Sequence, residues 1–230
     1  MDQIINSPIF IISLVLASYL AGCYVVARWR VSILNPILIA IIIVIAVIKS
    51  LGIEYESFEK GSELIDFMLG PSVVAIGYVL YDQRRILKER LVSLLASVVT
   101  GSIVGVVGVI LLCRLLGCDD IITLSLQPKS VTAPIALAIS ERSGGIGSLT
   151  AVSVVISGII GSIIGPSLLN IVGVKSKSAK GLALGAAAHG IGTAKAFEIG
   201  ATEGAVSGLA IGLMGVATSL LTPLFEFLFY

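Results

Sequence analysis

The run SLTAVSVVISGIIGSIIGPSLLNIVG, residues 148–173, contains no charged side chain. A helix needs roughly 20 apolar residues to cross the hydrocarbon core of a bilayer, so this run is long enough to span a membrane. Its place in the chain indicates that it is one span of several. Seven further apolar segments lie before and after it, at 8–27, 32–51, 64–81, 91–117, 121–140, 181–200 and 203–229.

The composition of all 230 residues agrees with this interpretation. Hydrophobic residues make up 57% of the chain and charged residues 13%, whereas about 25% of the residues of a soluble domain are charged. We predict an all-α, polytopic integral membrane protein whose single transmembrane domain covers residues 1–230. The net charge of +1 offers no basic surface, so nucleic acid is excluded as a partner, and the lipid bilayer is the expected environment.

The three cysteines, Cys23, Cys113 and Cys118, lie in or beside apolar segments and lack the spacing of metal ligands. We therefore predict no metal site and no cofactor. Buried free thiols are the favoured interpretation, because free cysteine is a common small core residue. A disulfide between Cys113 and Cys118 stays open as the alternative.

The loops between the segments predict the topology, because cytoplasmic loops are rich in Lys and Arg. RWR (28–30) and DQRRILKER (82–90) are then cytoplasmic, and the N-terminus is outside. Simple alternation would leave KSKSAK (175–180) outside, against the same rule. The conflict disappears if residues 121–142 enter and leave on one side or break midway, and two prolines interrupt that segment. We therefore predict a broken or re-entrant helix there.

An internal similarity supports the same conclusion. LGPSVVAIGYVLYDQRR (69–85) can be laid on LQPKSVTAPIALAISER (126–142) with an offset of 57 residues. The alignment continues at the same offset, because Gly101 aligns with Gly158 and Gly108 aligns with Gly165. We predict internal, inverted repeats with Pro- or Gly-broken or re-entrant helices, the pattern from which membrane proteins often build a binding site. Glycines four residues apart, such as Gly204, Gly208 and Gly212, predict close helix packing.

Two polar stretches inside the apolar segments are the candidate functional site. AAAHGIGTAKAFEIG (186–200) holds the chain's single histidine, and PKSVTAP (128–134) holds a lysine between prolines. Ionisable residues at bilayer depth are costly and usually face a cavity or a partner. We predict that the two stretches face one cavity near the membrane midplane and bind a small carboxylate. The predicted binding residues are Lys129, Ser130, Thr132, His189, Thr193 and Lys195.

Each of these residues has a predicted role and a structural alternative. Lys129 would supply the main positive charge, and the hydroxyls would orient the substrate. His189, with an ordinary pKa of about 6.5, is the candidate for proton coupling. Alternatively, His189 is a hydrogen-bonded packing residue, and Lys195 forms a structural ion pair with Glu198. We expect no enzyme, because no carboxylate is spaced to orient His189 and no zinc-protease motif occurs.

The same stretches carry a family resemblance. QPKSVTAPIALAIS (127–140), GGIGSLTAVSVVISGIIGSIIGP (144–166) and the region 181–210 closely resemble the LrgB/CidB family of bacterial inner-membrane proteins. LNPILIA (34–40) and LGPSVVAIGYVLYDQ (69–83) are similar to that family too. Ala133 stands where many relatives have a second threonine. The resemblance implies a multi-pass protein of the bacterial plasma membrane, with a small membrane partner of the LrgA/CidA type.

The resemblance leaves two functions open. The chain is similar to the LrgB-like half of the plant plastidial glycolate/glycerate transporter, and other relatives look like pyruvate importers. We therefore expect a transporter of small monocarboxylates such as pyruvate, glycolate or lactate, working with an LrgA-like subunit. The alternative is a holin- or antiholin-like modulator of murein hydrolase export and autolysis, which would act as a homo-oligomer.

Overall fold

The computed structural model of the chain describes residues 5–29, 34–82 and 91–229. Within these ranges every regular element is an α-helix. Most of DQRRILKER and the last residue of RWR lie outside the described residues. The helices are α1 (Pro8–Trp29), α2 (Pro36–Leu51), α3 (Tyr55–Gly61), α4 (Glu63–Phe67), α5 (Leu69–Asp82), α6 (Leu91–Leu115), α7 (Asp120–Leu126), α8 (Ala133–Arg142), α9 (Gly147–Ile171), α10 (Lys177–Ile199) and α11 (Ala201–Phe229).

Four of these helices, α1, α6, α9 and α11, are long and apolar enough to cross a membrane. α2 is apolar but shorter, with 16 residues. The predicted run 148–173 is the helix Gly147–Ile171, and the predicted segments 91–117 and 203–229 are the helices Leu91–Leu115 and Ala201–Phe229. The prediction of an all-α polytopic membrane protein is confirmed.

The chain divides into two compact units, Met1–Pro71 and Ser72–Tyr230. In the first unit, the side chain of Asn35 caps α2 by accepting a 2.8 Å bond from the N–H of Ile37. α1 packs closely on the start of α2, because Gly22 lies against the carbonyl of Pro36. All candidate binding residues lie in the second unit. The prediction of a single domain over residues 1–230 stays a prediction.

In the second unit, α6 and α11 run in the same direction. The hydroxyls of Ser102 and Thr218 lie 2.5 Å apart, and further along both helices the guanidinium of Arg114 donates to the carbonyl of Phe229. The two helices therefore end together. This end of the unit is called the far end below, and the end where α11 begins is called the near end.

α8 also runs parallel to α11. The side chain of Ile135 lies beside Gly215, and eight residues later the hydroxyl of Ser143 donates to Glu226 at 2.5 Å. α8 therefore ends at the far end, where α6 ended and α7 began.

Residues 119–143 thus enter and leave at one end of the unit. We call α7, residues 127–132 and α8 the first hairpin. α9 starts at the far end and runs back to the near end, so KSKSAK lies at the end where α6 begins. This re-entrant segment removes the charge conflict, as predicted.

The first arm of α10 ascends beside α11. Gly181 lies against the carbonyl of Glu203, and Gly185 lies against Ser207. An added Cβ at Gly185 would lie 2.7 Å from the Ser207 hydroxyl and 2.9 Å from the Cβ of Ala210. Only a residue without a side chain allows the two backbones to approach so closely.

α10 then reverses and returns to the near end. The backbone leaves helical geometry at two residues, Ala188 and His189, and His189 has φ 41° and ψ −130°. Beyond this break, Thr193 contacts Ser207 at 2.7 Å, the same residue that the first arm contacts. Phe197 lies against Gly204, nearer the start of α11. α10 is therefore a second re-entrant hairpin, and it enters from the near end.

The predicted inverted repeat is present in the second unit. With the offset of 57 residues, α6 falls on α9, both of 25 residues. The first hairpin then falls on α10, which spans 177–199, and the two hairpins enter from opposite ends. One part of the predicted register differs, because α5 is one continuous helix over Leu69–Asp82. It lacks the break that its proposed counterpart has at residues 127–132.

The predicted glycine contacts also need a correction. An added Cβ at Gly208 would meet nothing within 4 Å, so this glycine does not hold two backbones together. The closely packed glycines of α9 are Gly158, Gly161 and Gly165, where an added Cβ would approach α10 to within 2.9 Å. The four-residue spacing marks a smooth helix face, but only the tertiary structure shows which face meets a neighbour.

Candidate functional site

The tips of the two hairpins meet near the middle of the second unit. Val131, in the first tip, belongs to one buried cluster with Val154 of α9 and Met214 at the middle of α11. The ring of His189, in the second tip, has its Nε2 2.9 Å from the carbonyl oxygen of Val154. Both tips therefore reach the same level of α9, and the two predicted stretches come together.

The first tip is a six-residue turn, 127–132, which contains Pro128 and is followed by Pro134. Gln127 continues the α7 pattern with a bond from its N–H to the carbonyl of Thr123. Tighter turns follow, in which Val131 donates to the carbonyl of Pro128 at 3.2 Å. Pro134 then stands in the first turn of α8, where its missing N–H costs nothing.

This turn buries polar groups that have no partner in the described part of the chain. Gln127 is 2% exposed, and neither its amide oxygen nor its amide nitrogen has a hydrogen bond. The hydroxyl of Thr132 is also buried and unpaired. A buried polar group without a partner costs roughly 1–3 kcal/mol, so these three atoms point to a site for water or a polar ligand.

Lys129 lies in the same turn. It is half-buried, and its ammonium donates to the hydroxyl of Ser130 at 3.2 Å. Ser130 faces α6, where an added Cβ at Gly105 would lie 3.7 Å from its hydroxyl. Among the described residues no carboxylate pairs with this ammonium. The first tip therefore combines a positive charge, two hydroxyls and an amide.

The second tip is packed rather than polar. His189 is 5% exposed, and its Nε2 must carry the proton if it donates to the Val154 carbonyl. Gly158 makes room for the ring, since an added Cβ there would lie 2.7 Å from the Cε1 of His189. This arrangement agrees with the alternative of a hydrogen-bonded packing histidine.

The remaining candidate residues lie on the descending arm of α10. Thr193 donates to the carbonyl of His189 at 2.9 Å and contacts the hydroxyl of Ser207, so it ties this arm to α11. Lys195 forms a 2.7 Å ion pair with Glu198 and does not join the tips. The predicted roles of these six residues in binding, and of His189 in proton coupling, stay predictions.

A hydroxyl network at the base of the first hairpin went unpredicted. The hydroxyl of Thr150 on α9 lies 2.9 Å from the carbonyl of Ser125 and 2.7 Å from the hydroxyl of Ser140. The hydroxyl of Ser125 also accepts from the N–H of Ile146 at 2.7 Å. These side chains join both arms to α9. Three hydroxyl residues inside apolar segments were the available signal.

Comparisons with known proteins identify relatives of the whole chain. A model of the LrgB-like family matches residues 15–228. The uncharacterized protein YxaC of Bacillus subtilis is 36% identical over 96% of both chains. The holin-like protein CidB of Staphylococcus epidermidis is 34% identical over 96% of this chain and 97% of its own. The antiholin-like protein LrgB of Bacillus subtilis is 34% identical over 95% of both. No solved structure matches significantly.

The predicted function needs a correction in this light. The relatives are named holin-like and antiholin-like proteins, which contradicts the expected transport of small monocarboxylates and supports the alternative. The polar tip was interpreted from residue types alone, and a lysine, hydroxyls and an amide do not by themselves identify a ligand. Neither of these names describes an enzyme.

The match over residues 15–228 and the full-length relatives agree with each other. Together with four apolar helices of membrane-spanning length, they show that the chain belongs to the LrgB-like family of multi-pass bacterial membrane proteins.

Proposed function

We propose that this protein is a holin- or antiholin-like modulator of murein hydrolase export and autolysis, acting with a small membrane partner of the LrgA/CidA type. The observation that carries the proposal is the similarity to CidB and LrgB, at 34% identity over at least 95% of both chains. Similarity of this extent covers both hairpins and every candidate residue.

The meeting point of the hairpins is the part of the molecule that we assign to this function. A holin-like protein changes the permeability of the membrane, which requires polar groups at bilayer depth. The first tip supplies them in Gln127, Thr132 and Lys129. Water or small ions bound at this tip would interact with its unpaired polar groups. We therefore link the hydration of the first tip to the permeability of the membrane.

Deletion and controlled expression in the host bacterium test the function. The lysis rate, the murein hydrolase activity outside the cells and the membrane potential are measured with and without the small partner. Slower lysis after deletion would identify a holin-like protein, and faster lysis an antiholin-like one. Unchanged lysis, hydrolase release and membrane potential in both backgrounds would overturn the proposal.

The Lys129→Met variant tests the assignment to the first tip. A lysine at bilayer depth costs about 2.5–3.5 kcal/mol, so its removal should leave the amount of folded protein unchanged. We expect the effect of the protein on lysis to be lost. Lys195→Met is the matched control, because this lysine, half-buried like Lys129, pairs with Glu198 away from the tips, and it should retain the effect. Normal modulation by Lys129→Met at a normal protein level would contradict the assignment.

A further inference from the structure

The end of α6 has a geometry that brings two cysteines together. Gly117 adopts φ +69°, and its N–H bonds to the carbonyl of Arg114 at 3.2 Å. The N–H of Cys118 bonds to the carbonyl of Cys113 at 2.9 Å. These two bonds and the left-handed glycine form a Schellman motif, in which the first residue beyond the glycine contacts the side chain five positions earlier. Here the residues at these two positions are both cysteines.

The two thiols differ in access. Cys113 is buried, with 5% exposure, whereas Cys118 is partly exposed, and both are free thiols. The 2.9 Å bond between the Cys118 N–H and the Cys113 carbonyl holds the two residues side by side. The thiol of Cys118 can therefore react with a soluble reagent, whereas the thiol of Cys113 is shielded from it.

The pair lies at the far end of the second unit, directly before α7. KSKSAK lies at the near end, and Lys- and Arg-rich loops are cytoplasmic. The far end is then the extracytoplasmic one, where disulfides form and persist. A bond there would join the last turn of α6 to the loop that precedes the first hairpin.

We propose that Cys113 and Cys118 form a reversible disulfide that ties the loop between α6 and α7 to the last turn of α6. The Cys118 thiolate attacks one sulfur of a low-molecular-weight disulfide, which gives a mixed disulfide and releases one thiol. The Cys113 thiolate then attacks the Cys118 sulfur and releases the second thiol. The oxidant takes up two electrons, and the protons of the two cysteines pass to the released thiols. This chemistry is independent of the proposed function.

Thiol counting in the intact protein tests the proposal. Membranes containing the full chain are treated with oxidised glutathione, acid-quenched, denatured and alkylated with a polyethylene glycol maleimide. Without oxidant, all three cysteines should react. After oxidation, only Cys23 should react, which is a loss of two alkylation sites that a reductant restores. Peptide mass spectrometry should show the linkage between Cys113 and Cys118.

Two control variants separate this bond from other oxidation products. In Cys118→Ser, Cys113 and Cys23 should both stay reactive after oxidation. In Cys23→Ser, oxidation should leave no reactive thiol in a monomeric chain. Three reactive thiols after oxidation of the unmodified protein would overturn the proposal. A stable glutathione adduct on Cys118, or a disulfide-linked dimer in place of the internal bond, would overturn it as well.

Discussion

The two hairpins occupy equivalent places in an inverted repeat, yet their tips differ in chemistry. At the offset of 57 residues, QPKSVT (127–132) falls on LGAAAH (184–189). Gln127, buried without partners, corresponds to Leu184, which is equally buried and apolar. Thr132 corresponds to His189, whose ring has a partner in the Val154 carbonyl. One tip leaves polar groups unsatisfied, and the other satisfies them.

The backbone of each tip explains this difference. The first hairpin turns over the six residues 127–132, and its fixed contacts are the Ser125, Ser140 and Thr150 hydroxyls at its base. The second hairpin turns at two residues and is packed against glycines of α9 along its length. The unpaired polar groups make the first hairpin less stable than the second, and proteins often accept such a loss of stability where function requires it. We therefore infer that the first hairpin is the adaptable element and the second the rigid one.

The largest expected effect concerns the rigid hairpin. Gly185→Leu places a side chain against Ser207 and Ala210, where even a Cβ is too close. Backbone atoms cannot yield as side chains do, so the cost should exceed the roughly 1–3 kcal/mol of ordinary overpacking. We expect little folded protein, measured as the monodisperse yield after detergent extraction.

Gly208→Leu is the matched control for this variant, because open space surrounds Gly208. It should be recovered in normal yield. Equal yields of the two variants would show that close packing at Gly185 does not stabilise the second hairpin. The second hairpin could then no longer be called the rigid one.

A smaller effect is expected at His189, which combines a hydrogen bond with a left-handed backbone. His189→Ala loses the bond to Val154, worth roughly 0.5–1.5 kcal/mol, and keeps the unfavourable φ of 41°. His189→Gly loses the same bond but relieves backbone strain of about 1–3 kcal/mol. We expect the unfolding temperature of His189→Ala to lie below that of the unmodified protein, and His189→Gly to be about 1 kcal/mol more stable than His189→Ala.

Thermal unfolding in detergent compares the two variants directly. An alanine variant at least as stable as the glycine variant would show that the tip relaxes and that the strained turn is not intrinsic to the second hairpin.

The sequence predicted the helices and the first hairpin, because each left a physical signal. Apolar length marked the helices, and the wrong placement of KSKSAK together with two prolines marked the re-entrant segment. The second hairpin left no such signal. Its turn needs only two non-helical residues, and no lysine or arginine follows Lys195 to report on topology. Within 181–200, only the glycines and the histidine indicated a break.

The candidate site was predicted in part. Lys129, Ser130 and Thr132 were recognised as polar residues beside proline, and they do share one tip. Gln127 was missed as a site residue, because a glutamine at the edge of a turn is unremarkable until both its amide atoms are known to be buried. Lys195 was included because a lysine in an apolar segment is costly, and in the structure it pairs with Glu198. Which glycine faces a neighbour depends on contacts far apart in the chain.

The smallest expected effect has the opposite sign and concerns the adaptable tip. Gln127→Leu gives the first hairpin the residue that the second has at the equivalent position, with little change in volume. Replacing a buried amide that has no partners should raise stability by about 1 kcal/mol, and it should weaken the effect of the protein on lysis. Gln127→Met, a second apolar replacement of similar size, should show the same rise in stability and the same weaker effect on lysis. Unfolding temperatures in detergent and lysis rates in cells measure the two consequences separately. If both variants are less stable than the unmodified protein, the amide has partners such as ordered water in the folded state, and the first tip is as well satisfied as the second.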